Sequence, residues 1–164
     1  MSIPIPGYRI PAANRKRTAR SGTTAVEMAM IMPVFFAVLF ALVEFGHAMM
    51  VRSLVMSTTK DAARYGAVGE ISTKAVREYI EMRLSKVMDP DDVEILIKDA
   101  NFMDAPNPVF PGDLSTLPDI ELSDAESRRP FVIRITVPYE ATALLPPTWT
   151  TGMTISADSV VRHE

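Results

Sequence analysis

Met28 to Val43 is a run of sixteen residues without a charge, and it constrains this 164-residue chain more than any other stretch. As a helix it covers about 24 Å, a little less than the roughly 30 Å hydrocarbon core of a bilayer. Adding Ala25 to Glu27 and Glu44 to Met50 completes a span with its two carboxylates near the interfaces. Nine side chains in the run (Ile31, Val34, Phe35, Phe36, Val38, Leu39, Phe40, Leu42 and Val43) favour insertion. At roughly −0.3 to −0.6 kcal/mol each they sum to about −3 to −5 kcal/mol, and a rim carboxylate costs much less than the roughly +2.5 to +3.5 kcal/mol of a central charge. The balance predicts a single transmembrane helix in contact with lipid. Pro33 lies one or two turns into it, so a bend is expected near Met30 to Pro33.

Charge is distributed unevenly about this run. Arg9, Arg15, Lys16, Arg17 and Arg20 precede Glu27 without an intervening acid, whereas the portion after Arg52 is acidic. Basic residues in a short arm beside a membrane segment read as a positive-inside signal, which puts the N-terminus in the cytoplasm and the C-terminal part outside the cytoplasmic membrane. They form no basic stripe on a folded domain, so a nucleic-acid partner is not expected. With no cysteine, disulfides and thiolate chemistry are excluded. Residues 1–22, rich in Pro, Gly and basic side chains, read as a disordered leader.

Beyond the span, Met50, Leu54, Val55, Thr58, Ala62, Tyr65 and Gly66 keep spacings of three and four, which predicts that one helix continues from Thr23 to Ala67 as an amphipathic rod roughly 67 Å long. Ser72 or Thr73 can cap a second helix running to about Met88, with Val76, Tyr79, Ile80, Leu84 and Val87 on its apolar face. Val93, Ile95 and Ile97 alternate as in a strand. Asn101 to Arg129, with four prolines and six acids, reads as a long irregular stretch. Phe131, Ile133, Ile135, Val137 and Tyr139 give the clearest strand, expected to be central, and a last strand follows from about Met153 to Arg162. The expected class is α+β: a small, mostly antiparallel three-stranded sheet over residues 68–164, with the upper part of the long helix and the short helix on one face.

The residues Arg20-Ser21-Gly22-Thr23-Thr24-Ala25-Val26-Glu27 place a glutamate fifth after a glycine, ahead of an apolar helix. This resembles the processing site of type IV prepilins and pseudopilins. Together with Met32-Pro33-Val34, Glu44-Phe45-Gly46 and Ala62-Ala63-Arg64-Tyr65-Gly66-Ala67, it is similar to the TadE/TadG-like family of tight-adherence (Flp) pilus proteins. The resemblance runs from about Arg20 to Ala67 and returns in part over Ala157 to Glu164. It implies cleavage between Gly22 and Thr23 by a prepilin peptidase, pairing of Glu27 with the new amino terminus of a neighbouring subunit, and secondary motif positions at Pro33, Glu44, Phe45 and Gly46. The implied partners are other pilin, TadE, TadF or TadG-like subunits, and the implied role is a minor pilin or pseudopilin. Threonine at position 23, where pilins often carry an apolar residue, argues against N-methylation. The lack of a following von Willebrand-type domain places the chain closer to TadE than to full-length TadG.

Plainer readings compete at each point. Glu27 can be a carboxylate favoured by the helix dipole. Gly46-His47-Ala48 offers a signal-peptidase site, although the run is longer than a usual signal-peptide core and the helical pattern continues through the proposed cut. An uncleaved anchor carrying a binding module, with Asn101 to Arg129 as the recognising region, is the alternative from another class. Asp89, Asp91, Asp92 and Glu94 have neither the spacing nor the glycine of a calcium loop. His47 and His163 are too few and too far apart in sequence for a zinc site. The methionines read as membrane and core filler, and Trp149 as a partly buried residue under a loop. No nucleophile elbow, phosphate-cradling loop or catalytic triad pattern occurs, so neither an enzyme, a cofactor nor a small-molecule substrate is expected.

Overall fold

The structure, a computed structural model, describes residues 20–144 and 152–164, with side chains from residue 22 onward. The readings placed on the leader up to residue 19 and on Trp149 lie outside the described residues. The elements in chain order are α1 (Arg20–Ala67), α2 (Thr73–Leu84), β1 (Glu94–Asp99), β2 (Pro130–Pro138) and β3 (Thr154–Arg162), joined by short 3-10 turns. The protein is α+β, with a long apolar N-terminal helix and a small antiparallel sheet. It divides into two compact units, Met1–Ala41 and Leu42–Glu164.

Within the first unit, every described side chain of α1 from residue 22 to 41 is exposed, and the apolar window that qualifies the helix as a candidate membrane span has none of its residues buried. A soluble helix buries a stripe against its own domain; this one offers apolar surface all round, as expected of a helix whose solvent is lipid or other helices. Pro33 sits inside it and lacks the N–H that would reach the carbonyl of Ala29.

Within the second unit, α1 changes character. Val51, Val55, Thr58, Thr59, Ala62, Ala63, Gly66 and Ala67 are buried, spaced by three, four or one residue, which is the wide face a globular helix turns to its core. The periodicity expectation is corrected at two positions. Met50 is exposed while Val51 takes the core place. Tyr65 is exposed and stacks on Tyr79, with ring centroids 5.1 Å apart. The face is offset because small residues let the helix lie close: a Cβ on Gly66 would stand 2.9 Å from Leu122 Cδ1 and 3.0 Å from Val76 Cγ2.

The sheet order is β1-β2-β3, antiparallel throughout, with Ile95 opposite Ile135, Ile97 opposite Ile133, and Ala157 opposite Ile135 on the other side. One face of the sheet (Ile95, Ile97, Phe131, Ile133, Ile135 and Val137) packs with α1 and with Val76, Ile80 and Leu84 of α2 to make the main core. The other face carries a smaller cluster of Ala100, Leu114 and Val132 under the stretch from 101 to 129. That stretch is less loose than its composition predicts. It forms 3-10 turns at Asn101–Asp104, Leu114–Thr116 and Leu122–Asp124, and it sends Leu114 and Leu122 fully inside. Helix α2 stops at Leu84, four residues short of the expected Met88, so Val87 is exposed and Met88, beyond the helix, is buried instead. Asp89 accepts from the Asp91 N–H and caps the short turn Pro90–Asp92.

Candidate processing and assembly site

At the head of α1, Gly22, Thr23 and Glu27 fall within the first turns of the helix and are exposed. Thr23 and Glu27, four residues apart, share a helix face. Helix begins at Arg20 and not at Thr23, so the Gly22–Thr23 peptide is itself helical. A terminal turn of helix frays at little cost. Glycine lowers that cost further, being about 1 kcal/mol worse than alanine in a helix. Nothing lies within 4 Å of a Cβ built on Gly22, so its own fold does not require glycine there. Gly46 is equally open, and Phe45 beside it is exposed.

Glu44 is in a different situation. It is buried, 8% exposed, although it directly follows the apolar run. The Tyr139 hydroxyl donates to its Oε1 and lies 3.4 Å from its backbone carbonyl oxygen. Oε2 is buried without a hydrogen-bond partner among the described residues. One turn on, His47 Nε2 donates to the carbonyl of Thr142 at 2.8 Å. Burial and the neighbouring Glu44 carboxylate push the Tyr139 phenol up to about 12. The fold thus brings Glu44 and His47 together with the Tyr139–Ala141 turn, while Glu27 and Pro33 belong to the other unit. Nothing in the sequence signals that Tyr139 and Glu44, 95 residues apart, would meet; the only available hint is a glutamate at the end of an apolar run, which needs a polar partner if it is to be buried.

The helix α1 is thus of membrane-spanning length, headed by Gly22 and Glu27, exposed over residues 22–41 and packed in a small core from Val51 onward. Residues 22–64 match the family model for TadE-like protein. The match opens at the glycine of the expected cut and takes in Glu27, Pro33, Glu44, Phe45 and Gly46, so the TadE-like segment covers α1 almost to its end. Searches of curated proteins and of solved structures found no match. The TadE-like segment is therefore the helix, and it includes one half of the Glu44–Tyr139 contact but not the other.

Proposed function

We propose that the chain is a TadE-like minor pilin or pseudopilin taking part in tight-adherence pilus assembly. In this reading it is anchored by one pass through the cytoplasmic membrane, with residues 1–22 as cytoplasmic leader and residues 68–164 outside. The observation that carries it is the match of residues 22–64 to the TadE-like family on a helix whose apolar side chains are exposed throughout the first unit. Such a surface suits lipid while the protein is in the membrane, and the apolar helices of sister subunits afterwards.

A prepilin peptidase would cut between Gly22 and Thr23, and the new ammonium group would meet Glu27 of an adjacent subunit. Unpaired charge at the edge of the hydrocarbon is costly, so this pairing would both fix the register of two subunits and neutralise a carboxylate. Two measurements test the reading. Mass spectrometry of the mature protein is expected to find Thr23 as its first residue; an intact leader, or Met49, would replace peptidase processing by an anchor or a signal peptide. Glu27→Ala is expected to insert normally and to abolish pilus assembly, and normal pili from that variant would sink the role given to Glu27.

One observation favours a second reading, an uncleaved anchor that displays a binding module. An open polar hollow of about 350 Å³ is lined by Asn101, Asp104, Glu126, Arg128, Arg129 and Arg162, mostly from the two ends of the irregular stretch. Much of its charge is already neutralised, because Arg162 bonds Asp104 at 2.6 Å and Arg129 bonds Asp99. In that reading Glu27→Ala leaves function unchanged.

A further inference from the structure

The connection from β2 to β3 is fastened to α1 at the turn that follows the apolar run. Tyr139 and Thr142 hold Glu44 and His47, as described above. The far side of the connection is tied to the same turn, since the Tyr139 N–H donates to the Met153 carbonyl at 2.8 Å and the Gly152 N–H donates to Glu140 Oε1 at 2.7 Å. Leu144, two residues past Thr142, and Met153, whose carbonyl takes part in the tie, are apolar and exposed, by 58% and 57%. On α1 at the same level, Val43, Phe45, Met49 and Met50 are exposed as well.

A single exposed leucine on a soluble surface needs no explanation. Here the exposed apolar groups come from two separate parts of the chain and adjoin the end of a membrane-length run. A helix that leaves hydrocarbon at Val43 holds residues 44–47 in the headgroup region, and whatever is bonded to those residues lies at that depth too. Tyrosine is favoured there, since its ring is apolar and its hydroxyl polar. We propose that Leu144 and Met153 form a second lipid contact, inserting into the headgroup boundary of the bilayer that α1 spans. This rests on the membrane-anchored reading of α1. It gives the Glu44–Tyr139 and His47–Thr142 bonds a mechanical role, because they set the depth of the contact.

The opposite end of the sheet supplies the comparison. Thr154 pairs with Pro138 near the tie, whereas Arg162 pairs with Pro130 eight residues along β2, roughly 27 Å away at about 3.4 Å per residue. Since the chain has no cysteine, single cysteines can be placed at Leu144, at Met153, at Ser127 beside the far end of the sheet, and at Val38 in the run. Each variant of the full chain is labelled with an environment-sensitive fluorophore and reconstituted in phosphatidylcholine–phosphatidylglycerol vesicles. The lipids are brominated either near the headgroup or near the chain end.

The expected result is strong quenching of the Leu144→Cys and Met153→Cys labels by the shallow bromines, several-fold above the Ser127→Cys label, with Val38→Cys quenched by the deep ones. If Val38→Cys is quenched while Leu144→Cys and Met153→Cys behave like Ser127→Cys, the second contact is overturned and the span stands. That result, with the same labels becoming shielded only on addition of other pilus subunits, would assign the patch to a protein partner. If Val38→Cys is not quenched either, the membrane reading itself falls.

Discussion

Tyr139 shows how much one side chain can carry. Its hydroxyl supplies the one hydrogen bond of the Glu44 side chain among the described residues. Tyr139→Phe leaves that buried carboxylate unpaired, and the expected loss is about 1–3 kcal/mol of unfolding free energy, measured by denaturant titration of the full chain in detergent. An unchanged midpoint would show that the contact does not stabilise the domain. The pH dependence follows from the raised phenol. Stability owed to Tyr139 is complete below its ordinary value of 10.0 and is lost as pH rises toward about 12, so the wild type should lose more stability over that window than Tyr139→Phe. Thr58 presents the reverse case, with a fully buried hydroxyl lacking a partner among the described residues. Thr58→Val keeps the shape and removes the unpaired group, and it should raise stability by about 1 kcal/mol in the same titration.

At the scale of elements, α2 depends on how its start is fastened. Ser72 accepts from the Ala75 N–H, and Thr73 is held from three sides: its hydroxyl donates to the Ile120 carbonyl and accepts from the Leu122 N–H, while its N–H donates to Glu121. This joint fixes the irregular stretch to the helix and places Leu122 beside Gly66. Ser72→Ala should cost about 1 kcal/mol, a typical N-cap loss, visible as a lowered unfolding midpoint. The Thr73 N–H, followed by the Ser123 donors, holds the Glu121 carboxyl below its usual value. Its contribution is therefore present above 4.5 and fades as pH falls through the lowered value, loosening the joint only in acid. At Gly66 the same crowding sets a limit: valine would push into Leu122 and Val76, with an expected cost of about 1–3 kcal/mol from overpacking.

On the scale of the whole molecule, the buried residues among those described all belong to the second unit, from Glu44 onward. A fragment of residues 42–164 therefore keeps the complete core and should melt cooperatively without detergent. An absence of cooperative melting would mean that the apolar segment contributes to folding as well as to anchoring. Residues 22–41 of the first unit bury no side chain, so the order of that part of α1 rests on helix propensity and on the medium around it.

The sequence by itself determined what depends on local pattern. Met28 to Val43, extended by its flanking turns from Ala25 to Met50, is long and apolar enough to be a membrane helix wherever it lies; the alternation in β1 and β2 specifies strands; and Ser72 marks the start of α2 because a cap acts within one turn. The glycine-to-glutamate spacing at the head of α1 is a local pattern of the same kind. Only the tertiary structure decided which helix face is core, because Val51 and not Met50 is buried where the sheet lies, and Gly66 is required only by the approach of Leu122 and Val76. It also decided that Leu114 and Leu122 are inside, in a stretch whose prolines and acids read as loop. Most of all it decided the fate of Glu44. A carboxylate after an apolar run reads as an interfacial charge, and its burial required a phenol brought from 95 residues away, a partnership that no local pattern encodes.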